Sequence, residues 1–593
     1  MADYDAVVIG AGNGGLTAAL TLARKGLKVL LLERHNIPGG CATSFVRGRF
    51  EFEVALHQLS GMGTEQRPGP LRSTLGELGV LEKVEFVEME NLYRFAIPGE
   101  CDLTLKADRG EAALTLQEKF PDEREAIEKF FNLVYKFCTE MVSVAFLRDP
   151  QASWEKYPTY FKYALRPSQK ILDEHFQNPF LKAALSAYWG YMGLPPRLLP
   201  FGDLAVLLWA YLEFKPFHIK GSSQALSNGI LECFLQAGGE ARFSCGAQKI
   251  LLQDGKIRGV RTEDGEEVGA RCVVSNASTL STYLELIGEE HIPGEVFTNL
   301  GTKTIGPSAF TVFLGMDCPP EKLGIRETTN FIGIDIDADR EFARWRTLTP
   351  PTFMGLSCYN VSDPDFSPPG TCQVVLVQLQ YLDPWLAVPP TQYAETKYRY
   401  AQGMLDIAEK VFPGFRGHIE EVEAATPLTH MRYLGHPAGA IYGFDQYAKD
   451  SPLFEERRSP VPGLFFAGAW VGSGGYQPTL MSGVSAAKAV LKSLAKKGGA
   501  EWTEGTSGQT SKDSGKFKKK RRFCASTPST IPPRRGERPR SWIFCIPDSS
   551  ACGWRRFGRQ APRRKFSAWS PKVPTCRRSR PGNISIWRWM WGR

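Results

Sequence analysis

The stretch from Met1 to Glu33 constrains the fold most. Ala6-Val7-Val8-Ile9 is an unbroken apolar run that meets Gly10-x-Gly12-x-x-Gly15, and the helical pattern Leu16 to Lys25 follows and stops at Gly26. A second apolar run, Lys28 to Leu32, then ends at Glu33. A strand with no polar alternation suits a parallel sheet covered on both faces, so the segment reads as a βαβ unit. In such a unit Gly10 allows the tight turn, Gly12 lets backbone approach a pyrophosphate, and Gly15 lets the helix pack against the sheet. Gly14 lies in the same loop. The helix N-terminus offers free N–H groups and a partial positive charge to phosphates. Glu33 can accept hydrogen bonds from a ribose hydroxyl and would repel a 2′-phosphate. The motif predicts dinucleotide binding without separating FAD from NAD.

Two further segments narrow the choice. Pro38-Gly39-Gly40-Cys41-Ala42-Thr43 follows Glu33 closely, where a Gly-Gly turn can pass beside a pyrophosphate. Far along the chain, Gly468-Ala469-Trp470 and Gly474-Gly475 precede Met481-Ser482-Gly483, a second glycine loop at a helix start. That loop suits a flavin's ribityl phosphate or pyrimidine edge. The expected fold is α/β: a Rossmann-type FAD-binding domain assembled from residues 1–110, 221–285 and 456–498, with an α+β substrate domain from 111–220 and 286–455. Helices are predicted over Ile127 to Phe146, Leu204 to Leu212, Gln392 to Val411 and Leu480 to Ala495.

Charge divides the chain in two. Of 72 Lys and Arg and 63 Asp and Glu, residues 501–593 hold 23 and 5, which leaves 49 and 58 for residues 1–500. The body is therefore acidic, and nucleic acid is not an expected partner for it. Residues 501–593 contain no Leu, no Tyr and one Val, yet seven of the 13 Trp. A segment so poor in aliphatic residues cannot offset its ordering entropy, so 499–593 is expected to be a disordered basic tail, its composition that of a non-native or frame-shifted extension. Nine of the 13 cysteines precede residue 500 and none forms C-x-x-C, which argues against a metal site or redox pair and for a reducing compartment. Met1 to Asp5 is polar, so no signal peptide is read there. The longest apolar stretch, Phe201 to Phe214, is short of the roughly 20 residues that span a bilayer. A cytoplasmic protein, peripheral to a membrane at most, is expected.

Taken together, the motifs resemble the phytoene desaturase, carotenoid isomerase and retinol saturase group of FAD-dependent oxidoreductases. Besides the two ends, Gly221 to Gly239, Val273-Val274-Ser275-Asn276-Ala277, and Thr426-Pro427-Leu428-Thr429 through Gly443 are similar to segments of that group, in order. The resemblance implies non-covalent FAD held by Gly10, Gly12, Gly14, Gly15, Glu33, Gly39, Gly40, Cys41, Ala42, Ala247, Gly468, Ala469, Gly474, Gly475 and Met481. Two departures stand out. Ala469 occupies a position where the group often has an acid, and Ala247 one where Val is usual.

The implied reaction is hydride transfer at flavin N5 to or from carbon–carbon double bonds of an isoprenoid or polyene: saturation, desaturation or redox-neutral isomerisation. A second G-x-G-x-x-G after a strand is missing, so electrons would come through an external partner or through NAD(P)H visiting transiently. The aromatic-rich stretch 185–219 reads either as a tunnel for a long apolar substrate, with membrane docking, or as plain core. His57 is a candidate proton donor or flavin neighbour, since histidine titrates near neutral pH; it could equally be structural. Tyr442 and Tyr476 either line the isoalloxazine or simply pack. The competing readings are a flavin amine oxidase and a non-catalytic prenyl-binding escort resembling the Rab GDP-dissociation inhibitors.

Overall fold

The computed structural model describes residues 2–450, 459–472 and 474–498. At its centre β1 (Tyr4–Ile9) pairs in parallel with β2 (Val29–Leu32), Ala6 opposite Val29 and Ile9 opposite Leu32. Glu240–Arg242 extends the sheet beyond β2, while Glu267–Ser275 and then Leu464–Phe466 extend it beyond β1, all in parallel. Alternate residues point to opposite faces of a strand. Ala6 and Val8 pack with α1 (Asn13–Arg24) and with helices Ser222–Gln236 and Tyr476–Gly498. Val7 and Ile9 pack on the other side, against Ile250 and Val260 of the hairpin Ala247–Gln253/Lys256–Thr262. Burial on both faces is why these strands read as unbroken apolar runs.

A second seven-stranded sheet runs in the order Ile419–Ala425, Ser308–Met316, Cys372–Gln380, Phe353–Cys358, Thr329–Gly333, Asn91–Ile97, Cys101–Lys106. All its pairings are antiparallel except Thr329–Gly333 with Asn91–Ile97. Residues 91–106, assigned from sequence to the first domain, thus hydrogen-bond into the second sheet. Local sequence does not tell which sheet receives these strands. The helix expected over Ile127 to Phe146 begins earlier, as Arg124–Met141, and gives way to a π-helical turn at Val142–Phe146. Helix Phe201–Phe214 packs on Arg124–Met141 and forms one wall of the chamber described next. No helix among the described residues is long and apolar enough to cross a membrane. The tail 499–593 lies outside the described residues.

Candidate active site

The site begins where β1 ends. Gly10, at φ +92, turns the chain out of the sheet, and its N–H donates to the Leu32 carbonyl at 2.7 Å. α1 starts after Gly12 with no side-chain cap, so the first N–H groups of the helix stay open to a ligand. The Ala11 N–H donates to Glu33 Oε2 at 2.7 Å and the His35 N–H to Glu33 Oε1 at 2.8 Å. These bonds fix the acid at the end of β2, beside the glycine turn. Gly39 bridges to Gly12, its N–H donating to the Ala11 carbonyl at 2.8 Å. Ser227 Oγ donates to the Ala42 carbonyl at 2.7 Å and ties that turn to helix Ser222–Gln236.

The second glycine loop closes on the first. A Cβ on Gly14 would lie 2.6 Å from both the Gly468 nitrogen and Asn276 Oδ1, and one on Gly12 would lie 2.8 Å from Asn276 Nδ2. Gly468, at φ +93, donates its N–H to Ser482 Oγ at 2.8 Å. Asn276 is thus the wedge between the two loops, held by its own N–H on the Ile9 carbonyl at 2.8 Å. Sequence reasoning quoted Asn276 as part of a strand end and missed it as a site residue. Only the return of Glu267–Ser275 beside β1 reveals its place.

A cavity of about 2880 Å³ joins this cradle to an aromatic chamber. Gly10, Gly12, Gly14, Glu33, Gly39, Gly40, Cys41, Ala42, Ala247, Gly468, Ala469, Gly474, Gly475 and Met481 line it, as do His57, Tyr442 and Tyr476. Gly15 does not; it packs against the Gly10 carbonyl at the back of the turn. Asn13 Oδ1, by the open helix end, is buried without a hydrogen-bond partner among the described residues. An uncapped helix N-terminus, a carboxylate on the ribose side and a shelf that admits no side chain fit a dinucleotide.

The candidate catalytic residues His57, Tyr442 and Tyr476 all border this one cavity. His57 lies 5.4 Å, ring to ring, from Tyr191, and burial pushes its imidazole down to about 4. It is therefore neutral at pH 7, which disfavours a standing imidazolium donor. Burial likewise raises the Tyr442 and Tyr476 phenols and lifts the Cys41 thiol to about 11. The turn carrying His57 hangs on Glu53, which is fully buried. Its carboxylate accepts from the N–H groups of Ala55 and Leu56, both at 2.9 Å, and from the Ser223 N–H and hydroxyl at 2.6 and 2.7 Å. Its role as an anchor depends on Ser223, 170 residues away, which no local sequence pattern announces.

The stretch 185–219 splits. Tyr188, Leu199, Phe201 and Leu208 are buried, while Tyr191, Val206, Leu207 and Trp209 line the cavity. It is chamber wall and core together, and does not face outward as a docking surface would. Among the described residues, five of the ten large exposed apolar side chains stand instead on the preceding segment: Phe146, Leu147, Trp154, Phe161 and Leu165. Away from the cavity, Asp317, Cys318 and His418 each bring one potential ligand atom within 4.8 Å of the others, a grouping the missing C-x-x-C could not announce. His418 Nδ1 and Asp317 Oδ1 already share a 2.7 Å hydrogen bond, and burial lifts the Cys318 thiol to about 11, away from the thiolate a metal needs.

One glycine-built nucleotide cradle, an acid at the end of β2 and a second glycine loop closing over the first define a flavoprotein of the FAD-binding α/β class. Residues 14–491 match the flavin containing amine oxidoreductase family, and the chain belongs to it. It is accordingly an FAD-dependent oxidoreductase. Among curated relatives it is 26% identical to all-trans-retinol 13,14-reductase of Danio rerio, over 79% of this chain and 82% of that one. It is also 26% identical to the chloroplastic prolycopene isomerase of Daucus carota, over 74% and 72%. Among solved structures, an oxidoreductase from Methanosarcina mazei superposes with a TM-score of 0.56 at 18% identity, covering 81% of this chain and 99% of its own. A putrescine oxidase gives 0.55 at 13% identity, covering 82% and 99%. These two likenesses concern the fold alone.

Proposed function

We propose that the enzyme acts on carbon–carbon double bonds of a long apolar polyene or isoprenoid, as the names of its retinol- and lycopene-directed relatives suggest. The observation that carries this reading is the continuity of the cavity: one space holds both the nucleotide cradle and a chamber walled by Tyr191, Val206, Leu207, Trp209, Phe331 and Phe353. Its size exceeds the roughly 300–1,000 Å³ of an ordinary ligand pocket and leaves room for a long chain beside the cofactor. Burial of apolar surface contributes roughly 25 cal/mol per Å², so such a chain binds with few polar contacts.

FAD, when bound, supplies hydride transfer at its N5. The chain's own residues orient and exclude water. The first turn of α1 holds the pyrophosphate, Glu33 the ribose, and Gly468 to Gly475 the ribityl end. His57, Tyr442 and Tyr476 flank the reacting region, with His57 neutral. Electrons come from, or go to, a partner or NAD(P)H that does not reside in the protein.

The membrane contact moves from 185–219 to the cavity's rim. Phe146, Phe161 and Leu165 both line the cavity and face solvent, with Leu147 75% and Trp154 55% exposed beside them and the exposed cations Arg148 and Lys162 among them. A bilayer surface would accept these side chains and deliver a substrate insoluble in water.

Two measurements test the reading. The purified protein is expected to be yellow with a flavin spectrum; a protein that refuses FAD supports the escort reading. Anaerobic incubation with retinol or carotenoids, followed by product mass, is expected to show a gain of two hydrogens, a loss of two, or an isomer of unchanged mass. Turnover of amines with no change in any polyene would refute it.

A further inference from the structure

Asp203, on the helix that walls the chamber, is an acid that no step above uses. Helix Phe201–Phe214 lines the cavity with Asp203, Val206, Leu207, Ala210 and Phe214, the three-and-four spacing of one helical face, flanked by Trp209 and Tyr211. Asp203 is the one ionisable acid among them. Asp203 is therefore a carboxyl group set in an otherwise greasy stripe, with Phe137, Met141 and Leu165 also on the cavity lining. No hydrogen bond or ion pair joins its side chain to any described residue, and burial alone pushes its carboxyl up to about 7. A helix-capping role does not account for it, because the first turn of this helix has no side-chain cap.

Its position along the wall is informative. The Gly202 N–H donates to the Ala164 carbonyl at 3.0 Å and the Phe201 N–H to the Arg166 carbonyl at 2.7 Å, which sets this end of the helix beside Leu165 at the rim. Further along, Tyr211 donates its hydroxyl to the Gln58 carbonyl at 3.2 Å, next to His57. The rise from residue 203 to residue 211, at roughly 1.5 Å per residue, is about 12 Å. The outer end of the chamber thus has a polar reader and the inner end the candidate reacting groups.

We propose that Asp203 is a specificity-determining residue that recognises a hydroxyl at the end of the apolar substrate and so selects alcohols over hydrocarbons. The inference rests on the polyene reading above. A carboxyl group held near neutrality can both accept a hydroxyl proton and donate its own, and a buried polar group left without a partner is costly. Asp203 is half-buried and open to water from the cavity; a substrate hydroxyl replaces that water as a hydrogen-bond partner, whereas a hydrocarbon end displaces it and leaves the carboxyl unsatisfied.

The test compares binding of all-trans-retinol with that of its analogue bearing a methyl in place of the terminal hydroxymethyl. The FAD-loaded protein is used, and titration is followed by quenching of tryptophan fluorescence. The wild type is expected to prefer the alcohol by about tenfold, the scale of one hydrogen bond to such a group. In D203L the preference is expected to vanish through weaker alcohol binding, with the flavin spectrum and thermal midpoint kept. Equal binding of both ligands by the wild type, or a preference that survives D203L, overturns the proposal while the polyene reading stands. Tighter binding of the corresponding amine than of retinol, lost in D203L, assigns the carboxylate to an ammonium and also overturns it. Binding of neither polyene by the wild type refutes the underlying reading itself. If D203L does not fold, D203A, which removes both the donor and the acceptor, decides: at least a threefold loss of preference supports the proposal and a smaller or absent one overturns it.

Discussion

The two ends of the cavity are built on opposite principles. In the cradle the contacts are directional hydrogen bonds among backbone groups, one fixed acid and short Ser and Asn side chains, and the glycines leave no slack: Gly14 lies against Gly468 with no room for one extra carbon. In the chamber the walls are side chains, Tyr191, Val206, Leu207 and Trp209, joined by packing and not by directional bonds. Part of that apolar surface continues into solvent at Phe146 and Leu147. A cofactor of fixed shape needs the first kind of site. A long flexible apolar ligand needs the second, because apolar contact is non-directional and scales with area.

If the contrast is right, changes at the cradle should be far more damaging than changes at the rim. Gly14→Val is the harshest. Its side chain must displace backbone at Gly468, so loss of FAD is expected, with an overpacking cost of about 1–3 kcal/mol or more, read from flavin absorbance and the thermal midpoint. Next is Glu53→Ala, at the junction of the two regions. It strands the buried N–H of Leu56 and the buried N–H and hydroxyl of Ser223, and a loss of about 3 kcal/mol is expected in urea unfolding, at roughly 1–3 kcal/mol per unsatisfied group. Activity should fall further than stability explains, because the His57 turn loses its anchor.

Acid probes the histidines that line the cavity. Burial holds His57, His430 and His436 down to about 4, against about 6.5 in the unfolded chain. Between these values the unfolded state binds more protons, so stability falls as pH drops from about 6.5 toward 4, by up to ~1.4 kcal/mol per pH unit for each histidine. A thermal midpoint equal at pH 7 and pH 5 would contradict this, and His57→Gln should flatten the slope. The smallest effect on the fold belongs to the rim. Phe146→Ser with Leu147→Ser should change stability by no more than about 0.5 kcal/mol, as ordinary surface substitutions do, while abolishing flotation with anionic liposomes. Flotation that persists would relocate the contact.

How much of this was legible differs between the regions for the same reason. The β1–α1–β2 cradle is local: turn, helix start and acid all fall between Gly10 and Glu33, and each is demanded by backbone geometry that residue type reveals. Even the remote half of the cradle announces itself, since Gly468 and Gly474 must be glycine where they touch Asn276 and Tyr442. The chamber has no such signature. An aromatic stripe looks alike whether it faces core, cavity or solvent, which is why 185–219 reads equally as a substrate tunnel with membrane docking or as plain core, and why nothing in it points to the exposed group Phe146 to Leu165.

From the chain alone come the nucleotide class, the parallel sheet and the acidic character of the body ahead of the basic tail, because glycine spacing, apolar runs and charge are properties of residue type and order. Only the tertiary structure decided that Asn276 wedges the two glycine loops apart, that Glu53 hangs the His57 turn on Ser223, and that Asp203 faces a chamber instead of water. Each of these is a side chain whose meaning is set by a partner, or by the lack of one, that folding brings close from far along the sequence.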